Sequence, residues 1–252
     1  MRVGFIGTGR ITRRLVRGLD AAAHDIAVTR RSESVSSELA AAIPGLAVID
    51  DAQQVVDRSD AVFLCLAADV AHALVPGLTF RPDQAVISVM AGVSRDALRT
   101  ATEPAGEVCV TIPMPSVEHG GCPLPVHPRS ETLETLYGER NPIIPVRSEQ
   151  ELQPFWAVAG TMSSVLAELQ VITEWLAAQH GDADAAERYV TNMYAGYLDQ
   201  LTHHGPGALT AALADLSIEG GFNATLQQRI RDAGHYDELH AGLDMLLERT
   251  SG

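Results

Sequence analysis

The chain has 252 residues, of which 46% are hydrophobic, so it is long enough for one large core or two modest ones. Its formal net charge of −14 argues against nucleic acid or an anionic membrane as a partner, because neutralising phosphates requires a basic surface. All 18 basic residues are arginine, which excludes Schiff-base chemistry on a lysine, a Walker-type phosphate loop and a lysine general acid.

Short apolar runs and amphipathic stretches alternate over the first 150 residues or so. The apolar runs predict strands at 3–6, 26–29, 46–49, 61–66, 85–90 and 108–112. The stretches between them predict helices near 10–19, 33–42, 51–57, 68–75 and 94–101. This alternation indicates an α/β fold whose N-terminal domain is of the Rossmann type, with a doubly wound, mainly parallel sheet.

Strand patterns stop after about residue 150, and apolar residues then recur at helical spacing. Typical sets are Val165, Leu169, Ile172 and Leu176, then Val190, Tyr194, Tyr197 and Leu201, then Tyr236, Leu239, Leu243 and Leu246. We therefore predict a nucleotide-binding domain at 1–152 and an all-helical domain at 153–252. The aromatic residues on these stripes, which include Tyr189, Tyr194, Tyr197 and Trp175, are predicted to lie in a core or a dimer interface rather than in a substrate site.

A glycine-rich turn joins the first predicted strand to the first predicted helix. Its sequence, Gly7-Thr8-Gly9-Arg10-Ile11-Thr12, stands where the dinucleotide fingerprint G-x-G-x-x-G/A is expected. Gly7 would permit the tight turn, and Gly9 would let the backbone approach a pyrophosphate at the helix N-terminus. Thr12 replaces the usual small residue, so we expect the helix to lie slightly further from the strand. The alternative is an ordinary glycine turn of a parallel sheet.

The end of the second predicted strand indicates which dinucleotide is bound. Residues 1–31 carry seven arginines against two aspartates, a local charge of +5, so we expect this segment to contact an anion. The strand ends in Thr29-Arg30-Arg31-Ser32 and has no acid to accept from the ribose 2′-hydroxyl of NAD. Two guanidinium groups suit a 2′-phosphate, which predicts NADP as the cofactor with NADPH preferred over NADH. The alternative is a solvated basic turn.

Several segments of the chain resemble the pyrroline-5-carboxylate reductase family. These segments are VGFIGTGRI at the start, RSDAVFLCL at 58–66, VISVMAGVSRDAL at 86–98, the stretch around Gly160, and LADLSIEGGFNATL at 213–226. The resemblance implies a Rossmann domain followed by a helical domain that forms a homodimer, and reduction of a cyclic imine by NAD(P)H. It also implies that Leu66, Ala67, Ala91 and Gly92 contact the cofactor.

The chain departs from the family at positions near the substrate. Ala67-Ala68 stands where the family usually has Lys-Pro, and Pro113-Met114-Pro115 where it has Asn-Thr-Pro. Asn223 matches the family's threonine after the two glycines, and it can orient a substrate without titrating. An acid would then be Glu219, Ser217 or a water, unless the substrate arrives protonated. Asn223 could equally be a helix N-cap.

The remaining signals concern metal binding and cell compartment. Residues 112–128 hold five prolines and are expected to be stiff and irregular. His119, Cys122 and His127 in this segment have zinc-ligand chemistry, but a fourth ligand at motif spacing is missing, so we expect no metal. Three cysteines without a CxxC pair and the absence of a leader pattern predict a cytoplasmic protein with free thiols.

Two other functions stay open at this stage. The changed substrate positions would also suit a catalytically weak NADP-binding sensor or scaffold. A small-molecule ketone or hydroxyacid oxidoreductase is a further alternative, although the usual lysine proton donor of the hydroxyacid dehydrogenases is absent.

Overall fold

The computed structural model describes residues 1–30 and 33–251. Its contacts divide the chain into two compact units, one made of residues 1–156 with 247–252 and the other of residues 157–246. The boundary near residue 156 falls inside one helix, which also contains the domain boundary that we predict at residue 152.

The first unit is built on a single sheet. Within the described residues the sheet has eight strands in the order β3-β2-β1-β4-β5-β6-β7-β8. The first six pair in parallel, β7 pairs antiparallel with β6, and β8 pairs in parallel with β7. The strands are β1 (Arg2–Ile6), β2 (Asp25–Thr29), β3 (Ala47–Ile49), β4 (Ala61–Leu64), β5 (Ala85–Ser88), β6 (Glu107–Thr111), β7 (Leu124–His127) and β8 (Ile143–Pro145).

Short helices connect these strands. They are α1 (Arg10–Gly18), α2 (Glu33–Ala42), α3 (Ala52–Asp57), α4 (Ala68–Leu74), α5 (Arg95–Ala101) and α6 (Glu131–Tyr137), and α7 (Glu149–Ala159) follows the last strand. The doubly wound, mainly parallel sheet that the alternation predicts is thus confirmed. Its order reverses direction between β1 and β4, which is where such sheets bind ligands at the carboxyl ends of their strands.

The core of the first unit packs around the central strands. Phe5 of β1 stacks on Phe63 of β4 at 4.9 Å between ring centroids, and Tyr137 meets Phe63 edge to face. The buried Tyr137 hydroxyl donates a hydrogen bond of 2.9 Å to the Leu15 carbonyl of α1. The same network of contacts thus holds α1, and the glycine turn before it, in a fixed position.

The segment expected to be irregular contains regular structure. It forms a 3₁₀ turn at Pro115–Glu118 and then strand β7, which includes Pro125. Pro125 lacks an N–H, but its carbonyl accepts a hydrogen bond of 2.8 Å from the Thr111 hydroxyl of β6. The proline therefore leaves no buried acceptor unsatisfied at this position.

The second unit is all-helical, as predicted. The helices α8 (Met162–His180), α9 (Ala183–Thr202), α10 (Ala208–Leu216) and α11 (Phe222–Asp232) lie within it, and it shares α7 and α12 (His235–Ser251) with the first unit. Helix α8 packs against α9. Among the described residues of this unit, only Ala157, Ala186 and Val190 are buried.

Much of the apolar surface of the helical unit is therefore exposed. Trp175 and Tyr189 are 65% and 62% exposed, so neither side chain lies in the core of the single chain. In the described part of the chain, the stretch Glu149–His180, which comprises α7 and α8, has the length and apolar composition that a membrane-spanning helix would need.

Candidate functional site

A glycine turn lies at the carboxyl end of β1, where the sheet order reverses. Gly7 has a φ of +95°, and a Cβ atom there would lie 2.3 Å from the Cys65 carbonyl oxygen. Both observations require glycine at this position. A Cβ at Gly9, in contrast, would meet no atom within 4 Å. The backbone at Gly9 thus borders open space.

Helix α1 begins directly beside that space. Gly9 is its N-cap residue, and no side chain caps the helix. The first N–H groups of α1 therefore keep their capacity to bind an anion, and the helix dipole favours negative charge at the same point. The free N–H groups of α1 and the open space at Gly9 together suit the pyrophosphate of a dinucleotide.

Three buried threonines hold the glycine turn in place. The Thr29 hydroxyl at the end of β2 accepts a hydrogen bond of 2.9 Å from the Gly7 N–H. The Thr8 hydroxyl donates to the Thr29 carbonyl, and the Thr12 hydroxyl donates to the Gly7 carbonyl. Because these bonds are internal, the turn is organised before any ligand arrives. The hydrogen bond of Thr12 is a role that the sequence pattern does not predict.

The other residues predicted to contact the cofactor also follow parallel strands. Leu66 and Ala67 come after β4, and Ala91 and Gly92 come after β5. Leu66 is buried, whereas Ala67, Ala91 and Gly92 are exposed. A Cβ at Gly92 would lie 4.0 Å from the Ala68 Cβ, so the turns after β4 and β5 are neighbours. The sheet thus brings all these positions to the edge that holds Gly7 and Gly9.

The thiol beside this edge is electrically neutral. Burial raises the pKa of the Cys65 thiol from 9.0 to about 12, although a hydrogen bond with Thr12 partly opposes the shift. A thiolate at this position would repel a pyrophosphate, so the neutral thiol is compatible with an anion site.

The residues expected to select the 2′-phosphate are described only in part. Thr29 and Arg30 lie at the end of β2, whereas Arg31 and Ser32 fall outside the described residues. The Arg30 Nε donates to an Asp50 carboxylate oxygen at 2.6 Å, and the two side chains are 46% and 80% exposed. Asp50 thus pairs with Nε, and no group among the described residues forms a hydrogen bond with the two terminal guanidinium nitrogens of Arg30.

Most of the positive charge on α1 is already paired. Glu38 of α2 lies 3.2 Å from Arg13 and 2.6 Å from Arg17, and Glu118 pairs with both Arg14 and Arg17. These arginines hold the pKa of Glu118 below its ordinary value. Arg10, at the first position of α1, is exposed and has no partner among the described residues. The segment therefore offers an anion less charge than its composition indicates.

The predicted catalytic residues lie together in the helical unit, on the turn between α10 and α11. The Ser217 hydroxyl donates to Gln227 at 3.2 Å, and Glu219 is exposed. Asn223 occupies the first turn of α11, but the N-cap is Gly221 and no side chain caps this helix. The capping alternative for Asn223 is therefore wrong.

Hydrogen bonds and burial account for two of the three residues with zinc-ligand chemistry, which are His119, Cys122 and His127. Cys122 is buried, and its backbone N–H donates to the Asn141 side chain at 3.0 Å. The Nδ1 of His127 lies 3.1 Å from the Val146 carbonyl oxygen. In residues 1–30 and 33–251, no group of three or more candidate ligands is placed to hold a metal ion.

A cavity of about 260 Å³ lies at the carboxyl ends of β5 and β6, against α7. We call it the α7 cavity, and its lining residues are Met90, Gly92, Val93, Ser94, Val110, Glu149, Gln150, Leu152, Gln153 and Trp156. Sequence reasoning did not identify it, because α7 is far from β5 along the chain. The one local signal is Ser148-x-x-Glu151, a helix-start pattern whose Ser148 hydroxyl accepts from the Glu151 N–H at 3.2 Å.

Comparisons with known proteins concern the family of the N-terminal segment and the fold of the whole chain. Residues 2–92 match the family model described as NADP oxidoreductase coenzyme F420-dependent. No curated protein matches the chain by sequence. The matched segment contains the glycine turn, the end of β2 and the turns after β4 and β5.

Solved structures match over almost the whole chain. The 1-pyrroline-5-carboxylate reductase of Streptococcus pyogenes is 18% identical with a TM-score of 0.80, and the match covers 99% of this chain and 98% of that one. The NADP-bound pyrroline carboxylate reductase of Plasmodium falciparum is 11% identical with a TM-score of 0.81, at 99% and 97% coverage. A reductive aminase of Aspergillus terreus in complex with NADPH is 14% identical with a TM-score of 0.60, at 98% and 92% coverage.

The likeness to the pyrroline-5-carboxylate reductases that the motifs predict is thus confirmed for the fold. The chain has a fold that is similar to those of pyrroline-5-carboxylate reductases and imine reductases.

Proposed function

We propose that the protein is an NADPH-dependent reductase that transfers hydride to the C=N bond of a small imine. The observation that carries the proposal is the glycine turn, in which Gly9 and the uncapped start of α1 leave space and donors for a pyrophosphate. The fold supports it, because NADP is bound in the similar Plasmodium falciparum structure and NADPH in the Aspergillus terreus one.

Each predicted cofactor residue has a role in this proposal. The N–H groups at the start of α1 bind the pyrophosphate, with Thr8 and Thr29 holding the turn and Arg10 adding charge. Arg30, Arg31 and Ser32 bind the 2′-phosphate. Leu66, Ala67, Ala91 and Gly92 border the nicotinamide half, whose chemistry when bound is the supply of hydride.

The substrate side of the proposal involves the turn between α10 and α11. Asn223 orients the substrate through its carboxamide, which makes no hydrogen bond among the described residues and so keeps its donor and acceptor available. Glu219 and Ser217 are the proposed proton sources if the substrate needs one.

We further propose that two copies form a homodimer through the C-terminal helices, in the cytoplasm. With three buried side chains among its described residues, the helical unit has too small a core to account for its order, and a second copy would cover the exposed stripes of α8 and α9.

Cofactor oxidation with a panel of substrates tests the proposed activity. The purified protein is mixed with NADPH and with cyclic imines, with pyrroline-5-carboxylate or with ketones, and the absorbance of NADPH is followed. Turnover of an imine is the expected result. Tight NADPH binding without any turnover would instead support the sensor alternative, and turnover of ketones alone would support a carbonyl oxidoreductase.

A further inference from the structure

The α7 cavity adjoins the turn that we expect to border the nicotinamide. Gly92 both follows β5 and lines the cavity, so a molecule held there lies beside the proposed hydride source. Met90, Val93, Val110 and Leu152 are buried around it and give it apolar walls. A small apolar ligand body therefore fits the cavity's surface chemistry.

One charged side chain, Glu149, belongs to the cavity lining within the described residues. Its Oε1 accepts a hydrogen bond of 2.8 Å from the Arg95 N–H at the start of α5, which fixes the carboxylate in position. The Nη1 of Arg95 lies 3.3 Å from Asp96, and Arg95 is not among the residues that line the cavity. The lining residues therefore present one negative charge and no positive charge to a bound ligand.

The aromatic ring in the lining adds to this preference for cations. Trp156 lies on the same face of α7 as Glu149 and Leu152 at helical spacing, and all three line the cavity. The face of an indole ring attracts a positive nitrogen, and a nearby carboxylate strengthens that attraction. The same charge disfavours any substrate that carries a carboxylate of its own.

We infer that the α7 cavity binds the substrate as a protonated cyclic imine without a carboxylate, with Glu149 facing the positive nitrogen. This inference rests on the proposed function and names its substrate class. Glu149 is then a residue that determines specificity, and pyrroline-5-carboxylate is a poor substrate.

Binding the protonated form also removes the need for a proton donor. Hydride adds to the carbon of the C=NH⁺ group, the π electrons become a lone pair on nitrogen, and NADPH is oxidised to NADP⁺. The product is a neutral amine, so atoms and charges balance without a further acid. A chain without any lysine can therefore catalyse this step.

The variant Glu149→Gln tests the inference through specificity. Glutamine retains an acceptor for the Arg95 N–H and removes the charge, so α5 keeps its contact. We expect KM for 1-pyrroline to rise about tenfold, while the inhibition constant of the neutral cyclopentanone and the Kd of NADPH stay unchanged. The matched control is Glu151→Gln on the same helix, which is outside the cavity lining and pairs with Arg147, and it should change none of these values.

A binding experiment separates this inference from the proposed activity. Pyrrolidinium, the saturated cation, is titrated into the protein with bound NADP⁺, in a Trp175→Phe background where Trp156 is the remaining tryptophan. We expect fluorescence of Trp156 to change, and the affinity to fall about tenfold in Glu149→Gln.

Absence of cation binding to the parent protein, or equal effects of Glu149→Gln on the cation and on cyclopentanone, would overturn the inference. Cation binding that depends on Glu149 without turnover of any imine would support the cavity and refute the proposed activity.

Discussion

Gly7 and Gly9 stand two positions apart in the same turn, yet the structure constrains them in opposite ways. Gly7 is enclosed by backbone and has a positive φ, whereas Gly9 faces open space with an extended backbone. The first glycine therefore serves folding, and we propose that the second leaves room for the pyrophosphate.

Alanine substitutions distinguish these two roles. Gly7→Ala should lower the free energy of unfolding by about 2–3 kcal/mol, because the new Cβ combines a strained φ with a clash against the Cys65 carbonyl. Gly9→Ala should leave stability unchanged and weaken NADPH about tenfold, since its Cβ takes space meant for the pyrophosphate. Denaturant unfolding and NADPH titration measure both effects. Wild-type affinity for NADPH in Gly9→Ala would contradict the proposed cofactor site.

We propose that the basic residues after β2 determine the choice of cofactor. Charge-assisted hydrogen bonds to a 2′-phosphate contribute roughly 1.5–3 kcal/mol each, so we expect at least a tenfold preference for NADPH over NADH. Replacing Arg30 and Arg31 together by alanine should weaken NADPH and leave NADH nearly unchanged. Equal affinities for both cofactors in the parent protein would mean that the arginines form only a solvated turn.

Replacing Asp50 should have the opposite effect on NADPH affinity. Its carboxylate accepts a hydrogen bond of 2.6 Å from the Nε of Arg30, and its negative charge would repel a 2′-phosphate bound by that arginine. Asp50→Asn should therefore raise NADPH affinity a few-fold and leave NADH unchanged. The same titrations that test the arginine variants measure this change.

At the scale of elements, Glu118 connects the 3₁₀ turn at Pro115–Glu118 to α1. Its carboxylate is 11% exposed and pairs with Arg14 and Arg17. A Cβ at Gly18 would lie 2.6 Å from the Val117 carbonyl oxygen, so the turn and the helix are also in close backbone contact. The ion pairs and this close approach together fix the proline-rich segment on α1.

Glu118→Gln should lower the free energy of unfolding by about 1–2 kcal/mol, because two charge-assisted hydrogen bonds are weakened. The pKa of Glu118 is lowered in the folded state, so its contribution is present above its ordinary value of 4.5 and is lost as the pH falls through the lower folded value. The variant should therefore lose less stability on acidification than the parent protein. Glu139→Gln, which removes an exposed carboxylate that forms no ion pair among the described residues, is the control and should behave like the parent. Equal acid sensitivity of Glu118→Gln and the parent would refute this role.

The sequence predicts those helices and strands whose pattern of apolar residues is visible within the element itself. Strands β1 to β6 and helices α1 to α5 follow from apolar runs and amphipathic spacing, and the glycine turn follows from its place between β1 and α1. Strand β7 escapes prediction because prolines mark its segment as irregular, although it pairs with β6. Glu149 escapes because tertiary packing alone brings it to Arg95 at the start of α5.

The helical unit leaves large apolar side chains exposed in the single chain. Val171 and Trp175 of α8 are each 65% exposed, and Tyr189 of α9 is 62% exposed. Exposed apolar residues grouped in this way are typical of an interaction surface. A second copy of the chain is the partner that we propose.

Sedimentation tests this association. The protein should be a dimer at micromolar concentration, and Val171→Glu should abolish or weaken the dimer. Val171 is 65% exposed on α8, and a carboxylate buried there against a second copy would have no opposite charge to pair with. Gln179→Glu adds the same charge at an exposed polar position of α8 and should remain dimeric. A stable parent monomer, or binding of the parent protein to lipid vesicles through this helix, would refute the dimer.

The threonine contacts around the glycine turn also set limits for protein engineering. Thr29 holds Gly7 and Thr8, so a change there alters the turn itself, whereas the Arg30 side chain is half exposed and pairs with Asp50. A designer who wants an NADH-dependent variant should leave position 29 untouched and vary position 30 with Asp50. Because those two side chains are not part of the turn's support, a library restricted to them can explore cofactor preference without a loss of thermostability.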